Sequence, residues 1–167
     1  MTSILVRAAI EEDIPRVVEL WDLFMTEEKE AVPDADPESA RSGWTERLRR
    51  QIERRNAFVA LQGQTVVGFI GAISPEAREW IPEGILYIVD IYVHPSARRT
   101  DAARLLFKAL QDEARDQGYR ELWTNTLLNN RRVQVLLQRK GFLPLEGFVM
   151  PGSHDQLYYR KPLGSHR

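Results

Sequence analysis

The chain has 167 residues, a formal net charge of −1, 43% hydrophobic residues and 28% charged residues. Those proportions exclude a chain that is disordered throughout, and a nucleic-acid binder held by bulk positive charge. The absence of cysteine excludes disulfides, thiolate nucleophiles and cysteine-ligated metals, and three scattered histidines (His94, His154, His166) give no metal-ligand spacing, so no metal is expected. Ser3 to Ala9 reads as a first strand. Asp13 is placed to cap a helix whose first turn accepts Pro15, and Ile14, Val17, Val18, Trp21, Phe24 and Met25 then repeat at helical spacing. Two prolines make residues 31–37 a loop, and a second helix is expected from Pro37 to Ile52, with Ala40, Trp44, Leu48 and Ile52 four apart. The β-rich runs Ala57 to Leu61 and Thr65 to Ile73 flank a hairpin signal, Gln62-Gly63-Gln64.

Ile85 to Val93 is almost wholly apolar or aromatic and reads as a central strand buried on both faces, with Asp90 its one charge. After Pro95 the period changes: Ala102, Leu106, Ala109, Leu110 and Ala114 describe one helix face, which Gly118 ends. Tyr119 to Leu127 reads as a strand. Asn129 or Asn130 caps a further helix with Val133, Leu136 and Leu137 inward and Gly141 at its end. The last strands are placed near Phe148 and from Gln156 to Lys161. The order βααβββαβαββ, with hairpins and one βαβ crossover, implies an α/β layered domain with a mixed sheet. The length suits one domain over residues 1–163, with a frayed tail at 164–167. No apolar run approaches the ~20 residues that span a membrane, and no secretory pattern is visible, so the expectation is a cytoplasmic protein with no membrane partner.

That order, and several stretches within it, resemble the GNAT acyl-CoA N-acetyltransferase family. Val89-Asp90-Ile91-Tyr92-Val93-His94-Pro95 is similar to the family's fourth strand and its exit, and Ser96-Ala97-Arg98 leads to the helix where the family has its Arg/Gln-x-x-Gly-x-Gly/Ala motif. Asn130 through Leu136 to Gly141-Phe142 resembles the family's second signature, and Leu157 to Leu163 its closing strand. The resemblance implies a mostly antiparallel sheet with helices on both faces, acetyl-CoA as co-substrate, and direct acetyl transfer to a primary amine of a small molecule or peptide. Amide groups at a loop-to-helix junction, together with the helix dipole, suit a pyrophosphate. Arg98, Arg99, Thr100, Asp101, Ala102, Ala103 and Arg104 are therefore the expected cofactor turn, with Asn130 near the cofactor arm and the backbone of Ile91, Tyr92 and Val93 supplying an amide to the thioester carbonyl.

Two positions depart from the family pattern. Asp101 stands where the motif has its first glycine; its carboxylate either faces the phosphates or caps the helix. Leu137 stands where the family usually has the tyrosine that protonates the leaving thiolate; another group or solvent would then supply the proton, with Tyr158 and Tyr159, one expected inward and one outward, as the candidate substitutes. These departures keep open a second reading, a GNAT-like ligand-binding module with weak or no turnover. Asp90, a carboxylate in an apolar strand, is the candidate base; the alternative is a structural carboxylate paired with an arginine. Phe24, Glu28, Tyr87 and Asn125 are the expected acceptor-side residues. Residues 11–38 hold eleven acids against Arg16 and Lys29, an acidic wall for a cationic amine or else a solvated face, while Arg41, Arg47, Arg49, Arg50, Arg54 and Arg55 could pair with that acidic stretch or with a second copy in a homodimer. Only Trp44 is offered there for stacking, so no nucleic-acid partner is expected.

Overall fold

Alternating apolar residues and helical repeats fold into the expected order of elements. The structure, a computed structural model, describes residues 3–27, 37–152 and 155–164, with side chains at all of these except 37–42. Glu28, most of the 31–37 loop, His154 and residues 165–167 lie outside the described residues. The elements are β1 (Ile4–Ala8), α1 (Ile14–Glu27), α2 (Pro37–Glu53), β2 (Ala57–Gln62), β3 (Thr65–Ile73), β4 (Ile85–Val93), α3 (Ala102–Asp116), β5 (Glu121–Leu127), α4 (Arg131–Arg139), β6 (Leu143–Pro144) and β7 (Gln156–Pro162). The strands are hydrogen-bonded in the order β1-β2-β3-β4-β5-β7-β6. The pairs β1–β2, β2–β3, β5–β7 and β6–β7 are antiparallel, and β4–β5 is parallel. None of the described helices is long and apolar enough to cross a membrane.

The chain divides into two compact units, Met1–Gly71 with Asp90–Leu110 and Ala72–Val89 with Gln111–Arg167. In the first, α1 and α2 cover β2 and β3 through Val17, Leu20, Trp21, Trp44, Leu48, Val59 and Phe69. Trp21 stacks on Trp44 with ring centroids 5.3 Å apart, and Trp44 meets Phe69 edge-on at 5.6 Å. The β2–β3 register shifts at Ala60 and Leu61, whose partners are Gly68 and Val66. Val67 is thus an extra residue, and this bulge lets Val66 and Phe69, three positions apart, both join the α1–α2 core. Asp13 does not cap α1 as expected. It lies at the end of a short 3-10 turn, Glu11–Asp13, and reaches back to accept from the Ile10 amide at 2.9 Å while pairing with Arg7 at 2.7 Å.

In the second unit, buried Ile73, Ile81, Ile85 and Tyr87 pack with Trp80, Val89, Trp123 and Phe148. β5 pairs with β7 along its whole length, Glu121↔Pro162 to Leu127↔Gln156. No strand forms at Phe148. β6 is the two-residue Leu143–Pro144, paired with Arg160 and Tyr159, and the chain then turns through Gly147 at φ 77°. Phe148 is used for packing instead, its ring 5.1 Å from Trp123 and 5.2 Å from Tyr158. β4 is buried only in part: Ile85–Ile88 and Tyr92 are buried, whereas Val89, Asp90, Ile91 and Val93 are half-buried. Its parallel pairing with β5 covers Ile85–Tyr87 against Glu121–Trp123, and beyond that the Thr124 hydroxyl donates to the Ile88 carbonyl at 3.0 Å.

Candidate active site

The candidate residues fall in both units, and each group has its own local cause. In the first unit β4 leaves its strand at His94, whose amide donates to the Val67 carbonyl at 2.7 Å. A 3-10 turn, Pro95–Ala97, follows, with the His94 ring accepting from the Ser96 amide at 3.1 Å; His94 is a turn residue. The Thr100 hydroxyl donates to the Ala97 carbonyl and accepts from the Ala102 amide at 3.2 Å. α3 then starts on the Asp101 carbonyl, which accepts from the Leu105 amide at 2.9 Å. The hydroxyl tying down the first helical amide is that of Thr100. The Asp101 carboxylate pairs with Arg104 at 3.3 Å. Amides of the first helical turn, Ala103 and Arg104 among them, have no partner further back in a helix.

The three arginines of this turn divide sharply. Arg104 is taken by Asp101. Arg98 donates to both Glu27 oxygens at 2.9 and 2.7 Å and, through Nε, to the Val93 carbonyl at 3.0 Å. Arg99 is exposed and, among the described residues, makes no hydrogen bond or ion pair.

Asp90 is not the solitary carboxylate its strand suggests. Its Oδ2 accepts from Arg47 at 2.6 Å and from the Trp44 indole N–H at 3.3 Å, with Asp90 10% and Arg47 27% exposed at the side chain. Trp44 and Arg47 are one helical turn apart on α2, a spacing visible in the sequence, although the partner is 43 residues away from Arg47. Phe24 packs edge-on against Tyr92 at 5.7 Å. Of the acids between residues 11 and 38, Glu11, Asp13, Glu19 and Glu27 pair with Arg49, Arg7, Arg16 and Arg98, so much of the acidic stretch serves internal ion pairs.

In the second unit, Tyr87 and Asn125 form part of a polar chain that includes Gln156, a residue the sequence did not single out. The Tyr87 hydroxyl donates to Asn125 Oδ1 at 2.7 Å, and Asn125 Nδ2 donates to Gln156 Oε1 at 2.8 Å. Burial pushes the Tyr87 pKa well up, so the phenol keeps its proton and stays a donor. Tyr158 and Tyr159 lie on opposite faces of β7, yet both are buried, which corrects the expectation that one faces outward. The Tyr158 hydroxyl accepts from the Met150 amide at 3.0 Å. Asn130 is the helix cap, accepting from the Val133 amide at 3.2 Å. Leu137 is 2% exposed and serves the core.

A family model for the acetyltransferase (GNAT) family matches residues 17–142. The chain belongs to the GNAT acetyltransferase family. As a GNAT protein it is an acyltransferase, and the matched span takes in Asp90, the 98–104 turn and the Gly141-Phe142 end of α4. The GNAT fold is shared with an acetyltransferase of Staphylococcus aureus Mu50 at a TM-score of 0.75 and 14% identity, over 97% of this chain and 100% of that one. Ribosomal-protein-alanine N-acetyltransferase of Brucella melitensis aligns at a TM-score of 0.66 and 22% identity, over 95% and 99%. The PaiA N-acetyltransferase of Thermoplasma acidophilum, solved in complex with coenzyme A, aligns at 0.67 and 17% identity, over 96% and 99%. No curated protein matches this GNAT sequence.

Proposed function

We propose that this chain transfers an acetyl group from acetyl-CoA directly to a primary amine of a small molecule or a protein. The observation that carries the reading is the turn after β4, where a helix start and the unengaged Arg99 meet, while Asp101 pairs with Arg104. That set fits a pyrophosphate, because the carboxylate standing in the glycine position has its charge compensated beside it. Acetyl-CoA supplies an acetyl thioester, and with no cysteine in the chain the amine must attack it without an acyl-cysteine stage. The Ile91–Val93 backbone is the proposed donor to the thioester carbonyl. Phe24, Glu28, Tyr87 and Asn125 are the proposed acceptor-side residues. The coenzyme A complex of the PaiA relative supports the choice of donor.

Acetyl-CoA is expected to raise the melting temperature of the protein, since a ligand that binds only the folded state stabilises it. Arg99→Ala is expected to weaken acetyl-CoA binding about tenfold, the share of a charge-assisted phosphate contact, with the ligand-free melting temperature unchanged. An absent thermal shift at millimolar acetyl-CoA overturns the donor assignment. An amine panel read by mass spectrometry then identifies the acceptor.

Leu137 favours a second reading, because its buried side chain cannot donate a proton. Tyr158 is the proposed proton source for the leaving thiolate, and Tyr158→Phe is expected to lower kcat about tenfold while leaving KM for acetyl-CoA alone. Acetyl-CoA binding without turnover on any amine of the panel would instead identify a binding module.

A further inference from the structure

Glu27 is the last described residue of α1, and its carboxylate is fully engaged by residues of the β4 exit and the turn that follows. Both oxygens accept from Arg98, and Oε1 also accepts from the Tyr92 hydroxyl at 3.1 Å. The Arg98 guanidinium lies 5.4 Å from the Tyr92 ring centroid, and its Nε reaches the Val93 carbonyl at 3.0 Å. Arg98 is thereby held by an acid, a ring and a backbone oxygen at once. We propose that Glu27 is a positioning residue for acyl-CoA: acting through Arg98, it fixes the turn of residues 98–104 in the shape that receives the pyrophosphate. This rests on the reading of that turn as the pyrophosphate site.

The chemistry favours positioning over competition. Arg98 spends Nε on Val93 and NH2 on Glu27, so it acts as a strap from the strand exit to α1, while Arg99 is left for the phosphates. The Tyr92 pKa is raised, chiefly by burial and then by the Glu27 charge, so the phenol stays a donor to Glu27. Removing the carboxylate releases Arg98 and lets the turn sample other shapes before the ligand arrives, a cost that appears in affinity.

The test is a double-mutant cycle on acetyl-CoA affinity, measured by calorimetry with Glu27→Gln, Arg98→Ala and the double variant. Glu27→Gln is expected to raise Kd about tenfold in the wild-type background and to change it less than about twofold in the Arg98→Ala background. Glu27→Asp, which keeps the charge, is expected to recover part of the loss. Equal effects of Glu27→Gln in both backgrounds overturn the proposal, as does tighter binding, which would mean that Glu27 withholds Arg98 from the phosphates. A wild-type protein that fails to bind acetyl-CoA removes the underlying reading itself, whereas wild-type binding with an indifferent Glu27→Gln removes only the role of Glu27. Ligand-free melting curves of all variants confirm that each is folded.

Discussion

Trp44→Ala is expected to lower the unfolding free energy by about 3–5 kcal/mol, the usual cost of deleting a large buried aromatic side chain. Trp44 is 4% exposed, stacked on Trp21 at 5.3 Å and edge-on to Phe69 at 5.6 Å, so three rings from α1, α2 and β3 share one contact. The alanine leaves a void that neighbouring strands cannot close, because Val59 and Phe69 are held by the β2–β3 ladder. Its indole N–H also donates to Asp90, and that carboxylate loses a partner in the same step. Trp44→Phe separates the two contributions: it keeps most of the stacking, loses the N–H, and should cost about 1–2 kcal/mol. Urea unfolding with an unchanged m-value measures both. A loss below about 1.5 kcal/mol for Trp44→Ala would show that the cluster repacks around the gap.

The order of elements was legible because each has a strong local cause. Ala102, Leu106, Leu110 and Ala114 are all buried on one face of α3, and Asn130 caps α4 with its own side chain. The misreadings come from features set at long range. Phe148 has strand propensity, but its ring is claimed by Trp80, Trp123 and Tyr158, and the local pairing is made by Leu143–Pro144 instead. Asp13 precedes an apolar helix as a cap would, but Arg7 and the Ile10 amide lie within reach and take its oxygens. At the candidate site, the residue types of the 98–104 turn were readable from the change of period after Pro95. Which of its arginines is unengaged was not, since that depends on Glu27, 71 residues before Arg98. Gln156 gave no signal because a glutamine on a strand is an ordinary surface residue until β5, paired with β7, brings the Asn125 amide within hydrogen-bond distance of it.

Asp90→Asn is expected to lower stability by about 2 kcal/mol, less than the 3–5 kcal/mol for a fully buried pair because Arg47 keeps partial contact with solvent. At this chain length that corresponds to a fall in melting temperature of roughly 4–8 °C. The substitution keeps the shape of the side chain and an oxygen for the Trp44 N–H, and removes only the charge opposite Arg47. Arg47 Nε is already buried without a hydrogen-bond partner among the described residues, so its guanidinium has little else to turn to. The two roles open to Asp90 separate on this one variant. A brace between α2 and β4 makes stability fall while turnover per folded molecule stays within about twofold. A general base makes turnover fall by about 100-fold or more with the melting temperature held. We expect the first pattern, because Asp90 Oδ2 is engaged by both Arg47 and the Trp44 N–H, which ties the carboxylate to α2. Arg47→Leu should then reproduce the loss of stability, since it leaves the Asp90 charge without its counter-ion and with only the Trp44 N–H on Oδ2. A variant that melts with the wild type but no longer turns over would return Asp90 to the reaction, with Arg47 as the group that orients it.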